Sequence, residues 1–175
     1  SIKSLSKIYE LNNSVILTGG EPLLNKNITD IVKACNNVGF NSTLNTNGSL
    51  LTKLKLISLI DNKLTSLSVS LDSLNESKHD KIRGRKGAYK SVINLIDTFS
   101  KLKSKYKPTL TIMVVIMKDN INEIDEMIKW ANSLDIINTI SFQVLSTPLN
   151  FSNETIWANE FDHLIERDIA KINYS

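Results

Sequence analysis

Val15-Ile16-Leu17-Thr18-Gly19-Gly20-Glu21-Pro22-Leu23-Leu24 is the stretch on which the reading of this sequence turns. A brief apolar run stops abruptly at Thr18-Gly19-Gly20, as a short buried strand does when it ends in a loop. Paired glycines let the backbone take conformations other residues avoid and bring its N–H and C=O groups close to a ligand. Glu21 follows at the strand tip with an acceptor-only carboxylate, suited to a ligand ammonium, and Pro22 stiffens the turn behind it. Taken alone, the same four residues also describe a tight turn with a solvated glutamate.

Working outward, apolar runs of strand type alternate with amphipathic stretches. Ile28, Ile31, Val32, Cys35 and Val38 fall at helical spacing, between an N-cap at Asn27 and a stop at Gly39. Residues 43–46 predict a strand closed by Asn47-Gly48, and residues 51–60 a helix. Residues 66–71 alternate Leu67, Val69 and Leu71 with serines, a strand with one strongly apolar side. Residues 72–87 are polar and charged and predict the longest loop. A helix over 88–102 follows, then an apolar run over 110–117 of the kind buried on both faces. Ile121, Ile124, Ile128 and Ala131 mark a helix with Trp130 beside it, and 139–145 a last strand. Helices are expected at both ends, over 2–11 and 154–172. Strands alternating with helices call for right-handed crossovers and a parallel sheet, an α/β fold of one domain over residues 1–175.

Sites in such folds gather at the C-terminal ends of the strands. The groups there are Gly19, Gly20 and Glu21, then Asn47, then Ser70 and Asp72 on one side of an extended chain, then Lys118 to Asn120, and Gln143. Composition narrows the partners. The 175 residues carry 21 basic and 18 acidic side chains, a net charge of +3, too balanced to argue for nucleic acid. The basic run from Lys78 to Lys107 lacks interleaved aromatic platforms and reads as a solvated helix face. No apolar run approaches the roughly 20 residues that span a bilayer. The single cysteine, Cys35, excludes an internal disulfide framework, so a reducing, cytoplasmic compartment is expected. Neither His79 nor His163 has a spaced partner for a metal; His79 is expected to order the 72–87 loop.

With these motifs in order, the sequence resembles the radical S-adenosylmethionine (SAM) superfamily. Residues 15–24 resemble its Gly-Gly-Glu-Pro strand, residues 43–48 (TLNTNG) its next strand, and residues 68–72 (SVSLD) the one after. His79-Asp80-Lys81-Ile82-Arg83-Gly84, with Gly87-Ala88-Tyr89, resembles a passage of the subgroup that modifies peptides or matures cofactors. The resemblance implies a partial (βα)6 TIM-like barrel, a parallel sheet with outer helices, that binds SAM at the strand tips. It gives Glu21 the methionine ammonium, with Gly19 and Gly20 lining the same path. Ser70 and Asp72 match positions near the ribose or the methionyl end, and Arg83 an arginine that pairs with the SAM carboxylate. Asn120 matches a position near the ribose, Leu145 one beside adenine, and Asn47 the weakest of these matches.

One departure stands out. The family holds a four-iron four-sulfur cluster in a C-x-x-x-C-x-x-C loop after its first strand, because such clusters need thiolate ligands. No such loop is present here, and Cys35, spaced with Ile31, Val32 and Val38, reads as a buried structural thiol. The chain is therefore expected to be a truncated core that lacks the first barrel strand, with the cluster ligands upstream of Ser1. In complete form the resemblance implies an enzyme that generates a 5′-deoxyadenosyl radical and abstracts a substrate hydrogen, the substrate being a peptide or a cofactor precursor. The alternative is a degenerate, cluster-free SAM-like binding module.

Overall fold

Leucine, isoleucine and valine at alternate positions of five short strands build one parallel sheet whose spatial order, β1-β2-β3-β4-β5, is the sequence order. The computed structural model describes residues 13–144. The two expected terminal helices, with Trp157, His163 and Leu145, lie outside the described residues. The strands are β1 (Ser14–Leu17), β2 (Asn41–Thr46), β3 (Ser66–Ser70), β4 (Thr109–Ile116) and β5 (Thr139–Val144). Between them run α1 (Ile28–Asn37), α2 (Lys53–Asp61), α3 (Glu76–Ile82) with α4 (Ala88–Ser100), and α5 (Ile124–Asn132). Short 3-10 turns at Pro22–Leu24 and Ile121–Glu123 follow β1 and β4. Consecutive parallel neighbours joined by helices are the winding of a TIM-like barrel, here as a five-stranded arc among the described residues.

Register assigns each residue to a face. Leu44 pairs with Leu67, Leu67 with Leu110, and Ile112 with Ile140, so the outward side is a continuous apolar layer. Leu44, Leu67, Val69, Leu110 and Ile112 are fully buried there, in one cluster with Val32, Leu59, Val92 and Met127 of the helices. Each such side chain contributes about 1.5–3 kcal/mol of transfer free energy. The inward side differs. Asn45 is level with Ser68, Ser68 with Thr111, and Thr111 with Thr139. Closed barrels fill that space with bulky branched residues; this sheet lines it mostly with polar ones, with Met113 and Val115 of β4 among the exceptions.

Two expectations need correction. Residues 72–87 hold a helix, α3, as well as loops. Its N-cap, Asn75, accepts a hydrogen bond from Lys78 N at 3.1 Å, and Ser73 Oγ accepts one from Asn75 N at 3.0 Å. The helix escapes a periodicity reading because it has no apolar stripe: of its seven residues only His79 is buried. The 110–117 run is not buried on both faces. Its outward residues are buried and its inward ones, Thr111, Met113 and Val115, are only half-buried; Met113 and Val115 line a cavity.

Candidate functional site

The C-terminal strand ends and the α3 segment enclose a cavity of about 400 Å³, within the roughly 300–1,000 Å³ range of small-molecule sites. Thr18, Gly19 and Gly20 enter it from β1, and Asn45, Thr46 and Asn47 from β2. Ser70, Met113, Val115 and Gln143 come from the next three strands, and His79, Arg83, Arg85 and Ala88 close one side. Of the residues the sequence singles out, the cavity brings together Gly19, Gly20, Asn47, Ser70 and Arg83. Glu21, Asp72 and Asn120 stand behind its wall with their polar atoms engaged, and Leu145 lies outside the described residues.

Glu21 staples the first two strand ends. Its Oε1 accepts from Leu23 N at 3.1 Å and from Thr46 Oγ1 at 2.7 Å, and its Oε2 accepts from Asn47 N at 2.9 Å. Gly19 takes φ 140°, a conformation that side chains rarely adopt, and this lets the chain turn out of β1 beside the cavity.

Asp72 organises the opposite side. It is 1% exposed, its Oδ1 accepts from Val115 N at 2.9 Å, and its Oδ2 lies 2.6 Å from Arg83 Nε. That N–H is not aligned on the oxygen, so the pair is a charge contact more than a hydrogen bond. Asn120 Nδ2 donates to the carbonyls of Asp72 and Val115, both at 2.8 Å, and Asn120 Oδ1 accepts from Met117 N at 2.7 Å. Asn120 thus clamps the top of β3 to the top of β4. His79 Nδ1 accepts from Asp72 N at 3.1 Å, and the ring meets the Tyr89 ring edge-on at 6.3 Å. The expectation that His79 orders this segment holds.

Two carboxylates secure the segment from outside the cavity. Asp80 accepts from the backbone N–H groups of Tyr89 and Gly87 at the start of α4, and these bonds hold its carboxyl below the ordinary value. Burial pushes Glu123 up, but its bonds from Lys78 and Ser73 outweigh that, and its net shift is downward. Cys35 is fully buried in α1, and desolvation raises its thiol.

Sequence reasoning missed Asn45 altogether. It lies one register layer below the strand ends, level with Ser68, and its Oδ1 is buried in the cavity wall with no hydrogen-bond partner. Arg85 was also passed over; it reaches the cavity while its Nη2 donates to Ser91 Oγ at 2.9 Å. No three His, Cys, Asp or Glu residues cluster as metal ligands among the described residues, and no helix there is long and apolar enough to cross a membrane.

The comparisons with known proteins agree with this architecture. The sequence model described as "Radical SAM superfamily" matches residues 2–131. An AdoMet-dependent heme synthase of Methanosarcina barkeri is 26% identical over 151 residues, covering 86% of this chain and 42% of that protein. A PqqA peptide cyclase of Bradyrhizobium diazoefficiens is 27% identical over 134 residues, 76% of this chain and 34% of the cyclase. A probable GTP 3',8-cyclase of Archaeoglobus fulgidus reaches 36% identity over 124 residues, 70% of this chain and 40% of its own. Among solved structures, Streptococcus suis SuiB bound to S-adenosylmethionine superposes with a TM-score of 0.66 at 20% identity, over 91% of this chain and 36% of SuiB. The chain therefore spans between about a third and about two fifths of the curated relatives it matches here.

Proposed function

The chain belongs to the radical SAM superfamily, and we propose that it forms the SAM-binding core of a longer enzyme that acts on a peptide or a cofactor precursor. The observation that carries this reading is the cavity at the strand ends. Gly19 and Gly20 lie on one flank and Arg83 on the other. The buried, unpartnered Asn45 Oδ1 calls for a donor from an occupant, because an orphaned acceptor costs about 1–3 kcal/mol. These groups fit a zwitterionic amino acid joined to a nucleoside. They do not fit an iron–sulfur cluster: Cys35 is the sole cysteine of the sequence and is sealed in the helical layer. A cluster held by the longer protein takes its thiolates from other residues.

SAM, when bound and reductively cleaved, supplies a carbon radical able to take hydrogen from a substrate. The tasks of this chain's residues are binding and orientation. Glu21 stands behind the wall, but its Oε2 accepts only from Asn47 N and keeps acceptor capacity for the methionine ammonium, which approaches it past the Gly19-Gly20 backbone. Asn47 and Ser70 border the same path. Arg83, braced by Asp72, offers its free guanidinium edge to the carboxylate, while Asn120 sets the height of Asp72 beneath it. The named activities of the heme synthase and the peptide cyclase support a substrate among peptides and cofactor precursors. The SuiB structure bound to precursor peptide SuiA supports the peptide branch.

The test is SAM titration of the full-length protein carrying this chain, comparing wild type with Arg83→Lys. Lysine keeps the charge but cannot brace against Asp72 and chelate a carboxylate at once. SAM affinity should fall about tenfold, from the loss of one charged hydrogen bond. An unchanged dissociation constant refutes the assignment of this cavity to SAM.

A further inference from the structure

His79 lines the cavity and is buried beside Arg83 in the same segment, with one ring nitrogen spent on the backbone. Its ring is 1% exposed and held on two sides, by Asp72 N–H on Nδ1 and by the Tyr89 ring edge-on. A ring nitrogen that accepts a hydrogen bond carries no proton, so the neutral imidazole has its hydrogen on Nε2. Nε2 makes no hydrogen bond within the protein and is not among the fully buried polar atoms that lack one, so it opens onto the cavity. Burial pushes His79 below its ordinary pKa, as does the Arg83 charge, while Asp72 and Asp80 pull upward; the net shift favours the neutral ring.

Two guanidinium side chains line the cavity together with His79. Arg83 and Arg85 reach the same side of the cavity, and no acidic side chain lines it. The carboxylate nearest these groups, Asp72, is 1% exposed and spent on Val115 N and Arg83 Nε, so the donors that reach the cavity on this side are left to select an anionic oxygen. Resting on SAM as the occupant, we propose that His79 Nε2–H donates a hydrogen bond to the SAM carboxylate beside Arg83. Asp72 is the positioning residue for both: its N–H sets the imidazole tautomer, and its carboxylate holds the Arg83 Nε. One residue thereby fixes the aim of two donors. Asn120 secures it through its carbonyl, at 2.8 Å.

The test compares SAM with decarboxylated SAM, which lacks the acceptor in question, on the cluster-reconstituted full-length protein. Two variants separate the two nitrogens. His79→Asn places a carbonyl oxygen where Nδ1 accepts from Asp72 but has nothing at the Nε2 position; His79→Gln reaches the Nε2 position with an amide N–H. His79→Asn should weaken SAM about tenfold and leave the decarboxylated ligand unchanged, and His79→Gln should recover most of the loss. Equal losses for both ligands, or no loss for SAM, overturn the proposal and leave His79 a structural residue. The wild-type tautomer gives a second measurement that needs no variant: long-range nitrogen–proton couplings should show Nδ1 bare and Nε2 protonated, and a protonated Nδ1 overturns the proposal. Failure of the wild type to bind SAM at all refutes the proposed function first, and this assignment with it.

Discussion

Glu21→Gln should weaken both SAM binding and the fold, by amounts that can be separated. The carboxylate accepts three hydrogen bonds, from Leu23 N, Thr46 Oγ1 and Asn47 N. A glutamine has one carbonyl oxygen. With its amide nitrogen at the Oε2 position, Asn47 N–H faces a donor; with the nitrogen at Oε1, Leu23 N–H does. Either way one backbone N–H is orphaned in a half-buried turn, at a cost of about 1–3 kcal/mol. The charge-assisted bond to the methionine ammonium is a separate loss of about 1.5–3 kcal/mol, or roughly 10- to 100-fold in affinity. Thr46→Val distinguishes the two, because it removes the Thr46 bonds to Glu21 and from Gly48 N and leaves the carboxylate charged. Chemical denaturation reads the first loss and SAM titration the second. Both variants should lower the unfolding midpoint; because Thr46 also lines the cavity, its SAM loss measures the disturbed wall with the charge intact, and the loss for Glu21→Gln should exceed it by tenfold or more. If Glu21→Gln lowers the midpoint but leaves SAM binding where it was, Glu21 is a staple of the turn and has no ligand.

Asp80→Asn should detach the start of α4, since Gly87 N and Tyr89 N both donate to this carboxylate. The folded carboxyl sits below its ordinary value, so its stabilisation is present above the unfolded carboxylate pKa of about 3.9 and is lost as pH falls through the lower folded value; denaturation against pH should show the variant and wild type converging at strongly acid pH. Gly48→Ala should destabilise by about 1–2 kcal/mol, because Gly48 holds φ 76° and an added Cβ would meet Leu95 Cδ1 at 3.4 Å; an unchanged denaturation midpoint refutes the strain.

The strands were legible wherever alternation ran long enough to set one face against the other. In β3, Leu67 and Val69 separate from Ser66, Ser68 and Ser70 by period two, and the structure buries the first set against the helices. That rule also misled. Ser70 and Asp72 are two residues apart and were read onto one side, but β3 ends at Ser70. Leu71 N still bonds Met113 O across to β4, but the Asp72 carboxylate is taken up by Val115 N and Arg83 behind the cavity wall, while Ser70 lines the cavity. Alternation stops predicting which side chains reach the cavity at a strand end, where a carboxylate is captured by neighbouring backbone and charge. The α3 helix was invisible for another reason: its start is marked by Asn75 and Glu76, a capping signal, but no apolar period follows it. Its work is done by His79, Asp80 and Arg83, which bond to neighbouring segments and carry no hydrophobic signature.

Asn45 shows what a search of strand ends alone leaves out. A parallel strand rises about 3.3 Å per residue, so the layer two residues below Asn47 lies some 6–7 Å deeper, and the cavity extends to it. The residues level with it, Ser68 and Thr111, are small and polar, whereas the opposite side of the same strands carries Leu44, Leu67, Leu110 and Ile112. The two faces therefore divide the labour. Apolar burial against the helices stabilises the sheet, and the interior, apart from Met113 and Val115 on β4, carries few of the branched side chains that fill a closed barrel. An inner face relieved of packing can present hydrogen-bonding groups such as the unpartnered Asn45 Oδ1 to a polar ligand. The same division explains why single-sequence periodicity finds the stabilising half of this sheet more readily than the binding half. Hydrophobic pattern records what must be buried in the protein alone, and a buried acceptor that waits for its donor leaves no pattern.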